Sequence, residues 1–341
     1  MLQSSKTPQG GASVNVIGAG IAGTWQALAF ARAGYDVTLH ERGDAAMTQA
    51  TSHWAGGMLA PWCEREASEP LITRLGIRSL DLWRGELPDT AFNGSLVVAH
   101  PRDRADFDRF AKLTTDYDRL DKDGVAKLEP SLDERFRDAL FFAGEGHVEP
   151  RTVLPKLHEK LSAAGATIKF ESEVASEELA KESGAVIDCR GLSARETFPD
   201  LRGVKGEMIV VETDEVQLSR PVRLIHPRWP LYIIPRDGNR FMIGATTIES
   251  EDIGVSVRSA LELLTAAYAV HPAFAEARIV EIGAGLRPAF PDNLPRIAID
   301  KTNIAVNGLY RHGFLLAPAL AELTLNYVQR GLIDNEVMQC T

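Results

Sequence analysis

Three glycines and one acidic residue near the N-terminus have the spacing of a dinucleotide site. Gly18, Gly20 and Gly23 form "GAGIAG", and Glu41 follows the last glycine by 18 positions, close to the separation in the dinucleotide fingerprint. Gly18 would make the tight turn, Gly20 would let the backbone approach a pyrophosphate, and Gly23 would let a helix pack closely on a strand. Glu41 would accept hydrogen bonds from a ribose. The alternative is a glycine-rich turn between core elements.

Arg311 is a second candidate functional residue, because its charged side chain stands in the largely apolar stretch "NGLYRHGFLLAPAL" (307–320). Leaving one member of a buried charge pair alone costs about 3–5 kcal/mol. Arg311 therefore either points to water or holds an anion. Pro318 favours a helix that begins near it, and the N–H groups and dipole of that helix would stabilise a nearby negative charge.

Positioning the glycines requires a strand, a tight turn and a helix, and the sequence predicts all three. The apolar run "VNVI" (14–17) predicts the strand, and "TWQALAFARAG" (24–34) has apolar residues at helical spacing, with Gly34 as its terminator. The following "DVTLHER" predicts a second strand with Glu41 near its end. Residues 1–12 are polar and predict a flexible tail.

The segment after Glu41 favours FAD over a nicotinamide cofactor. A long polar and glycine-rich connection, "RGDAAMTQATSHWAGGMLAPWCE", stands where a simple nicotinamide domain would begin its next helix. Small residues at Thr51, Ser52, Gly56 and Gly57 would let the backbone lie against a pyrophosphate and an isoalloxazine ring, with Met58 packing nearby. The alternative is a surface loop with a helix N-cap at position 51 or 52.

Composition excludes several classes of protein. The 341 residues carry a net charge of -10 and no basic run, so nucleic acid is not an expected partner. Cys63, Cys189 and Cys340 form no CxxC or Cys/His cluster, so we expect no disulfide framework, no metal site and a cytoplasmic location. No apolar stretch reaches the roughly 18 residues of a membrane helix.

Seven blocks resemble the glycine oxidase and D-amino acid oxidase family of FAD-dependent oxidoreductases, and within it the glycine oxidases of thiamine biosynthesis. The match extends over nearly the whole chain, and the blocks follow the family's order. The blocks are "VIGAGIAG", "TSHWAGGMLAP", "GHVEPRTVLPKL", "VKGEMIVVE", "LYIIPRDGNRFMIGATT", "GAGLRPAFPDNLPRIA" and "LYRHGFLLAPALAEL".

The resemblance implies an α/β fold in which a Rossmann-type FAD-binding domain is interleaved with an α+β substrate domain carrying an antiparallel sheet. We expect the FAD-binding domain to comprise 13–80, 146–203 and 281–341, and the substrate domain to comprise 81–145 and 204–280. The residues agree with this division. Residues 81–145 contain amphipathic, charged stretches typical of surface helices, and 204–250 alternate like an antiparallel meander with "RDGNR" as a hairpin turn.

The resemblance assigns substrate contacts to three residues. Arg287 in "GLRP" would hold the substrate carboxylate, which its planar fork matches bidentately; the alternative is an internal salt bridge, with Asp292 as the suggested partner. Tyr232 would hydrogen-bond the substrate, with a packed core tyrosine as the alternative. Arg311 would lie near the flavin and substrate, either tuning the flavin or helping Arg287, with a solvent-facing side chain as the alternative.

The resemblance also implies the residues that contact FAD. Val174 would lie against the adenine, and the "DCRG" turn with Gly191 would close over the cofactor. His53 raises the possibility of a covalent flavin bond, but its register is one residue away from that of covalent relatives, so we expect non-covalent FAD. The remaining expected contacts, besides those already named, are Ile21, Ala22, Arg42, Tyr310, His312, Gly313, Phe314 and Leu315.

The activity implied is oxidation of glycine by oxygen to an imine, with hydrogen peroxide as the second product. The imine would hydrolyse to glyoxylate and ammonia or pass to thiazole synthase, and the chain could form a homo-oligomer. Pro230 and Thr247 depart from the glycine oxidase pattern at positions expected to face the pocket, so sarcosine and small D-amino acids stay open as substrates. A quinone-linked amino acid dehydrogenase is an alternative. Arg287 and Tyr232 together argue against a flavin-binding subunit without turnover, because a scaffold has no need for a carboxylate clamp beside the flavin.

Overall fold

The computed structural model describes residues 11–176, 178–179, 184–228 and 230–340, and it divides the chain into two compact units. Unit 1 comprises 1–55, 150–203 and 287–341, and unit 2 comprises 56–149 and 204–286. Both units are interleaved along the chain. The boundaries differ from the expected ones in that 56–80, 146–149 and 281–286 belong to unit 2. Most of the expected tail, 1–10, lies outside the described residues.

Seventeen strands and seven helices are described within these ranges. The strands are β1 Ser13–Ile17, β2 Asp36–His40, β3 Met58–Leu59, β4 Ser95–Ala99, β5 Asp118–Asp121, β6 Asp138–Phe142, β7 Gly146–His147, β8 Thr167–Lys169, β9 Ala185–Asp188, β10 Arg202–Glu212, β11 Val222–Ile225, β12 Leu231–Arg236, β13 Arg240–Gly244, β14 Arg278–Ala289, β15 Arg296–Asp300, β16 Asn303–Asn307 and β17 Met338–Cys340. The helices are α1 Ile21–Arg32, α2 Pro70–Glu86, α3 Arg104–Leu113, α4 Lys122–Leu128, α5 Pro150–Ala163, α6 Val257–Val270 and α7 Gly313–Arg330.

Unit 1 is built on a seven-stranded sheet with the order β17-β15-β16-β9-β1-β2-β8. Strand β1 lies between β2 and β9 and pairs in parallel with both. Val16 and Leu39 in these strands are fully buried, as expected for a parallel sheet that is covered by helices. Helix α1 packs on α7 and α5. The predicted strand, turn, helix and second strand at the N-terminus are confirmed.

Two predicted helix positions need correction. Helix α1 begins at Ile21, three residues before the predicted stretch, directly after the turn at Gly20. Helix α7 begins at Gly313, five residues before the proline that was expected near its start, and Pro318 lies within the helix. A proline there removes one backbone hydrogen bond, but Phe314 to Leu316 are buried, and burying these apolar side chains favours the helical turn that comes before the proline.

Unit 2 is built on an eight-stranded sheet with the order β14-β10-β13-β12-β11-β4-β6-β5. The β12–β13 hairpin confirms the predicted turn at "RDGNR". The sheet is not wholly antiparallel, because β11 and β4 run parallel. Helix α6 covers a core that includes Ile209, Ile233 and Ile243, all fully buried. None of the helices in the described ranges has the length and apolar character needed to cross a membrane.

Candidate active site

The glycine-rich turn of unit 1 has no room for larger residues. A Cβ atom on Gly23 would lie 1.9 Å from the carbonyl oxygen of Gly18, and one on Gly18 would lie 2.8 Å from the carbonyl oxygen of Cys189. Gly18 also has a φ of 95°, which favours glycine. The turn therefore brings strand β1, helix α1 and the turn after β9 into backbone contact.

Glu41 lies at the end of β2 with its carboxylate at the same turn. Its Oε2 accepts a hydrogen bond from the Ala19 N–H at 2.8 Å, and its Oε1 accepts one from the Gly43 N–H at 2.8 Å. Each carboxylate oxygen has two acceptor sites, so both oxygens can accept further hydroxyl groups. The carboxylate is held in a fixed orientation beside the glycines.

Two polar side chains support the turn from within unit 1. Ser52 Oγ accepts a hydrogen bond from the Ile21 N–H at 3.0 Å, so this serine binds the first amide of α1. Thr24 Oγ1 donates to the Ala19 carbonyl at 2.9 Å, and the buried His158 contacts both partners through Nε2 at 3.0 and 3.2 Å. Burial lowers the pKa of His158, which favours the neutral ring.

The loop before α7 lies close to the turn that carries Gly191. The Asn307 side chain, 1% exposed, donates to the Gly191 carbonyl at 2.9 Å and accepts from the Gly308 N–H at 2.8 Å. A Cβ atom on Gly313 would lie 3.5 Å from Ile21 Cγ2. The N-termini of α7 and α1 are therefore neighbours in unit 1, and both present backbone N–H groups with positive dipole ends.

Arg311 and Arg287 have different surroundings in unit 1. The Arg311 side chain is exposed, and its Nε lies 3.4 Å from His312 Nε2. Arg287 is half-buried near the end of β14. Asp292, the suggested salt-bridge partner of Arg287, pairs with Arg296 at 3.1 Å.

In unit 2, Tyr232 belongs to a polar cluster. Its hydroxyl donates to Glu64 Oε1 at 2.8 Å, and Glu64 is 7% exposed. The guanidinium of Arg223, also 7% exposed, lies 5.5 Å from the Tyr232 ring centroid and 3.5 Å from Glu66 Oε2, and donates to the Cys63 carbonyl. Tyr232 is therefore not packed only among apolar side chains.

A fully buried carboxyl group holds the backbone of this cluster. Glu145 Oε1 accepts hydrogen bonds from the N–H groups of Trp62 and Cys63, both at 2.8 Å, and Oε2 accepts one from the Ser95 hydroxyl. Burial raises the pKa of Glu145 to about 7. Burial also raises the pKa of the Cys63 thiol, so Cys63 is a packed thiol and a poor nucleophile.

The other expected contacts range from exposed to buried within their own units. Pro230 and Thr247 are exposed, and His53 accepts a hydrogen bond at its carbonyl from Arg151 Nε at 3.3 Å. Arg42 is exposed, whereas Gly57, His312, Phe314 and Leu315 are buried. The half-buried ones are Ala22, Thr51, Gly56, Met58, Val174 and Tyr310.

Several residues of these sites were missed by sequence reasoning. Glu64 lies outside the recognised block "TSHWAGGMLAP", three positions after its end. Arg223 stands alone in the apolar run "VRLI", and a single charge in an apolar strand signals a buried partner. His158 and Asn307 gave no such signal, because their partners in the glycine turn and at Gly191 are more than 100 positions away in the sequence.

The parallel sheet and the glycine turn of unit 1 are typical of proteins that bind a dinucleotide cofactor. The comparison with known families identifies which family this is. Residues 13–326 match the family described as FAD dependent oxidoreductase. The chain belongs to this family of FAD-dependent oxidoreductases. Its residues fit the cofactor, because the Gly18–Gly23 turn has no space for side chains and Glu41 is fixed beside it. The resemblance predicted from the sequence is confirmed at this level.

Three similar proteins cover almost the whole chain. A protein of Rhizobium etli, named as a thiamine biosynthesis oxidoreductase ThiO, is 51% identical over 312 residues, 90% of this chain and 93% of its own. The glycine oxidase of Bacillus licheniformis is 28% identical over 357 residues, 94% of each chain. The crystal structure of glycine oxidase from Geobacillus kaustophilus superposes with a TM-score of 0.78 at 24% identity, covering 94% of this chain and 95% of that one.

Proposed function

We propose that the protein oxidises glycine, or a similarly small amino acid, with oxygen as acceptor. Glycine, oxygen and water would give glyoxylate, ammonia and hydrogen peroxide, with the imine as the first product. The observation that carries the proposal is the Tyr232 hydroxyl bonded to Glu64 beside the guanidinium of Arg223. A flavin-binding subunit without turnover has no need for such a polar cluster on a strand that carries an expected substrate contact.

FAD would be held, without a covalent bond, by the glycine turn, Glu41, Ser52, the start of α7 and the Gly56–Met58 segment. When bound, FAD supplies the two-electron acceptor for the substrate. Arg287 would bind the carboxylate through its planar fork, and Tyr232 would orient the substrate. Arg311, on the loop before α7, would stabilise negative charge near the flavin. These residues bind and orient, which is what the reaction requires of the protein.

The similarity to the Rhizobium etli protein supports a role in thiamine biosynthesis. In that role the imine of glycine would pass to thiazole synthase before water hydrolyses it. Adding thiazole synthase to the reaction should then reduce the yield of free glyoxylate relative to hydrogen peroxide. An unchanged ratio of the two products would contradict the transfer.

The test of the activity is anaerobic reduction of the bound flavin. Glycine should bleach the visible absorbance of the flavin, and readmitted oxygen should restore it with one hydrogen peroxide per imine. Pro230 and Thr247 depart from the glycine oxidase pattern, so sarcosine, D-alanine and D-proline are alternative substrates. The same assay with these three compounds ranks them against glycine. A flavin that stays oxidised with all four compounds would overturn the proposal, and reduction without peroxide would favour a dehydrogenase.

A further inference from the structure

Strand β12 holds the segment between Gly56 and Glu64 with one of its faces. Tyr232, Ile234 and Arg236 alternate along the strand, so their side chains share that face. Tyr232 reaches Glu64, and a Cβ atom on Gly56 would lie 2.8 Å from Ile234 Cδ1. Arg236 Nη2 donates to the Gly56 carbonyl at 2.7 Å. The expected substrate contact and the expected flavin segment are thus attached to the same strand of unit 2.

Arg236 also joins this segment to the chain around β7. Its side chain is 9% exposed, its Nη1 donates to the Val148 carbonyl at 3.3 Å, and its Nε pairs with the Glu149 carboxylate. The Val148 N–H donates to the Gly57 carbonyl at 2.9 Å. One guanidinium therefore binds two backbone carbonyls and a carboxylate, which its fork of five N–H groups permits.

These contacts fix the direction of two backbone amides. In a planar trans peptide, the carbonyl of one residue and the N–H of the next point in opposite directions. Arg236 binds the Gly56 carbonyl, so the Gly57 N–H is directed away from the guanidinium. Val148 binds the Gly57 carbonyl, so the Met58 N–H is directed away from β7. The N–H groups of Gly57 and Met58 are thereby held in fixed orientations.

We propose that Arg236 is a positioning residue for FAD, which acts by fixing the amides of Gly57 and Met58 toward the flavin. The inference rests on the proposed function, in which the Gly56–Met58 segment contacts the cofactor. It adds a role for a residue that would touch neither substrate nor flavin. The role is one of orientation, since the guanidinium binds the far side of the peptide that would present the donor.

The experiment compares two arginines that face each other in the β12–β13 hairpin. Arg236 and Arg240 are register partners, but Arg240 is half exposed and pairs with Glu212 at 3.1 Å. Arg236→Met should raise the Kd for FAD about tenfold or more, because charge-assisted bonds to the segment are lost. Arg240→Met removes the same charge and should leave the Kd within about twofold. The Kd is measured by FAD titration of apoprotein without substrate.

A second variant guards against misfolding. Arg236→Lys keeps the charge but lacks the planar fork, so it should fold and still raise the Kd for FAD and shift the visible bands of the bound flavin. Circular dichroism of each apoprotein checks folding. A Kd and flavin spectrum in Arg236→Lys equal to those of Arg240→Met would overturn the inference.

Gly57→Ala separates failure of the inference from failure of the proposed flavin segment. Gly57 has a φ of 70°, so alanine strains the segment itself. If Gly57→Ala weakens FAD binding while both Arg236 variants do not, only the inference fails. If none of the three variants changes FAD binding, the assignment of the segment to the flavin fails with it, whereas amino acid oxidation by the wild type is judged separately by flavin bleaching.

Discussion

The hydroxyl of Tyr232 donates a hydrogen bond to Oε1 of Glu64 at 2.8 Å. A phenol has one proton to donate. With that proton directed to Glu64, the oxygen of Tyr232 can accept a hydrogen bond from a substrate amine but cannot also donate one to a carboxylate. The pair thus favours recognition of the amino group by Tyr232, and it leaves the carboxylate to an arginine.

We predict that Tyr232→Phe selectively weakens ligands that carry an amine. A hydrogen bond to a charged group contributes about 1.5–3 kcal/mol, so kcat/KM for glycine should fall roughly 10- to 100-fold. The inhibition constant of acetate, which has a carboxylate and no amine, should stay near the wild-type value. Steady-state kinetics with glycine and acetate make the comparison. An equal loss for acetate would place Tyr232 at the carboxylate instead.

Arg287→Ala should raise KM for glycine by orders of magnitude while FAD stays bound, because the proposed bidentate contact with the carboxylate would be lost. Arg287→Lys should be intermediate, since lysine keeps the charge without the planar fork. Arg296→Ala is the matched control, because Arg296 already pairs with Asp292. Flavin absorbance per protein and KM are measured together. A KM unchanged in Arg287→Ala would remove this residue from the substrate site.

The strand, glycine turn, helix and second strand at the N-terminus were predictable from the sequence because they are close together in the chain. The glycines, the flanking strand and helix, and Glu41 all fall within 30 residues and have fixed spacing. Helix α7 was predictable in existence but not in its start, since the rule for proline in the first turn competes with burial of Phe314 to Leu316.

The contacts that join distant segments could not be predicted in the same way. Glu64 and Tyr232 are 168 positions apart, and Asn307 and Gly191 are 116 apart. Such pairings depend on strand register and on how the chain returns to the same unit. No local pattern encodes them, and only Arg223, as a charge within an apolar strand, gave a signal that a partner existed.

Gly23→Ala should abolish FAD binding. The added methyl group would lie 1.9 Å from the Gly18 carbonyl oxygen, so helix α1 must shift away from the turn that would hold the pyrophosphate. Gly34→Ala is the control, because Gly34 also ends a tight turn, with a φ of 87°, but has open space around its Cβ position. It should lose about 1 kcal/mol of stability and keep FAD. Purified Gly23→Ala protein that carries one FAD per chain would contradict the prediction.

Glu145 should make stability depend on pH near neutrality. Burial raises its pKa from 4.5 to about 7 in the folded protein, so between these values the folded state keeps a proton that the unfolded state releases. The free energy of unfolding should therefore fall as pH rises from about 4.5 to 7, and the loss for 2.5 pKa units is about 3 kcal/mol.

The matched variant for this prediction is Glu145→Gln, which cannot titrate. Comparison is needed because His147 has the opposite effect: burial lowers its pKa to about 4, so its contribution to stability is lost as pH falls below 6.5. The free energy of unfolding is measured with urea at pH 5, 6, 7 and 8. Up to pH 7 the wild-type value should decline relative to that of Glu145→Gln, and above pH 7 the difference between the two should stay constant. Parallel curves across the whole range would mean that Glu145 is ionised in the folded protein, held by the amides of Trp62 and Cys63 and by Ser95.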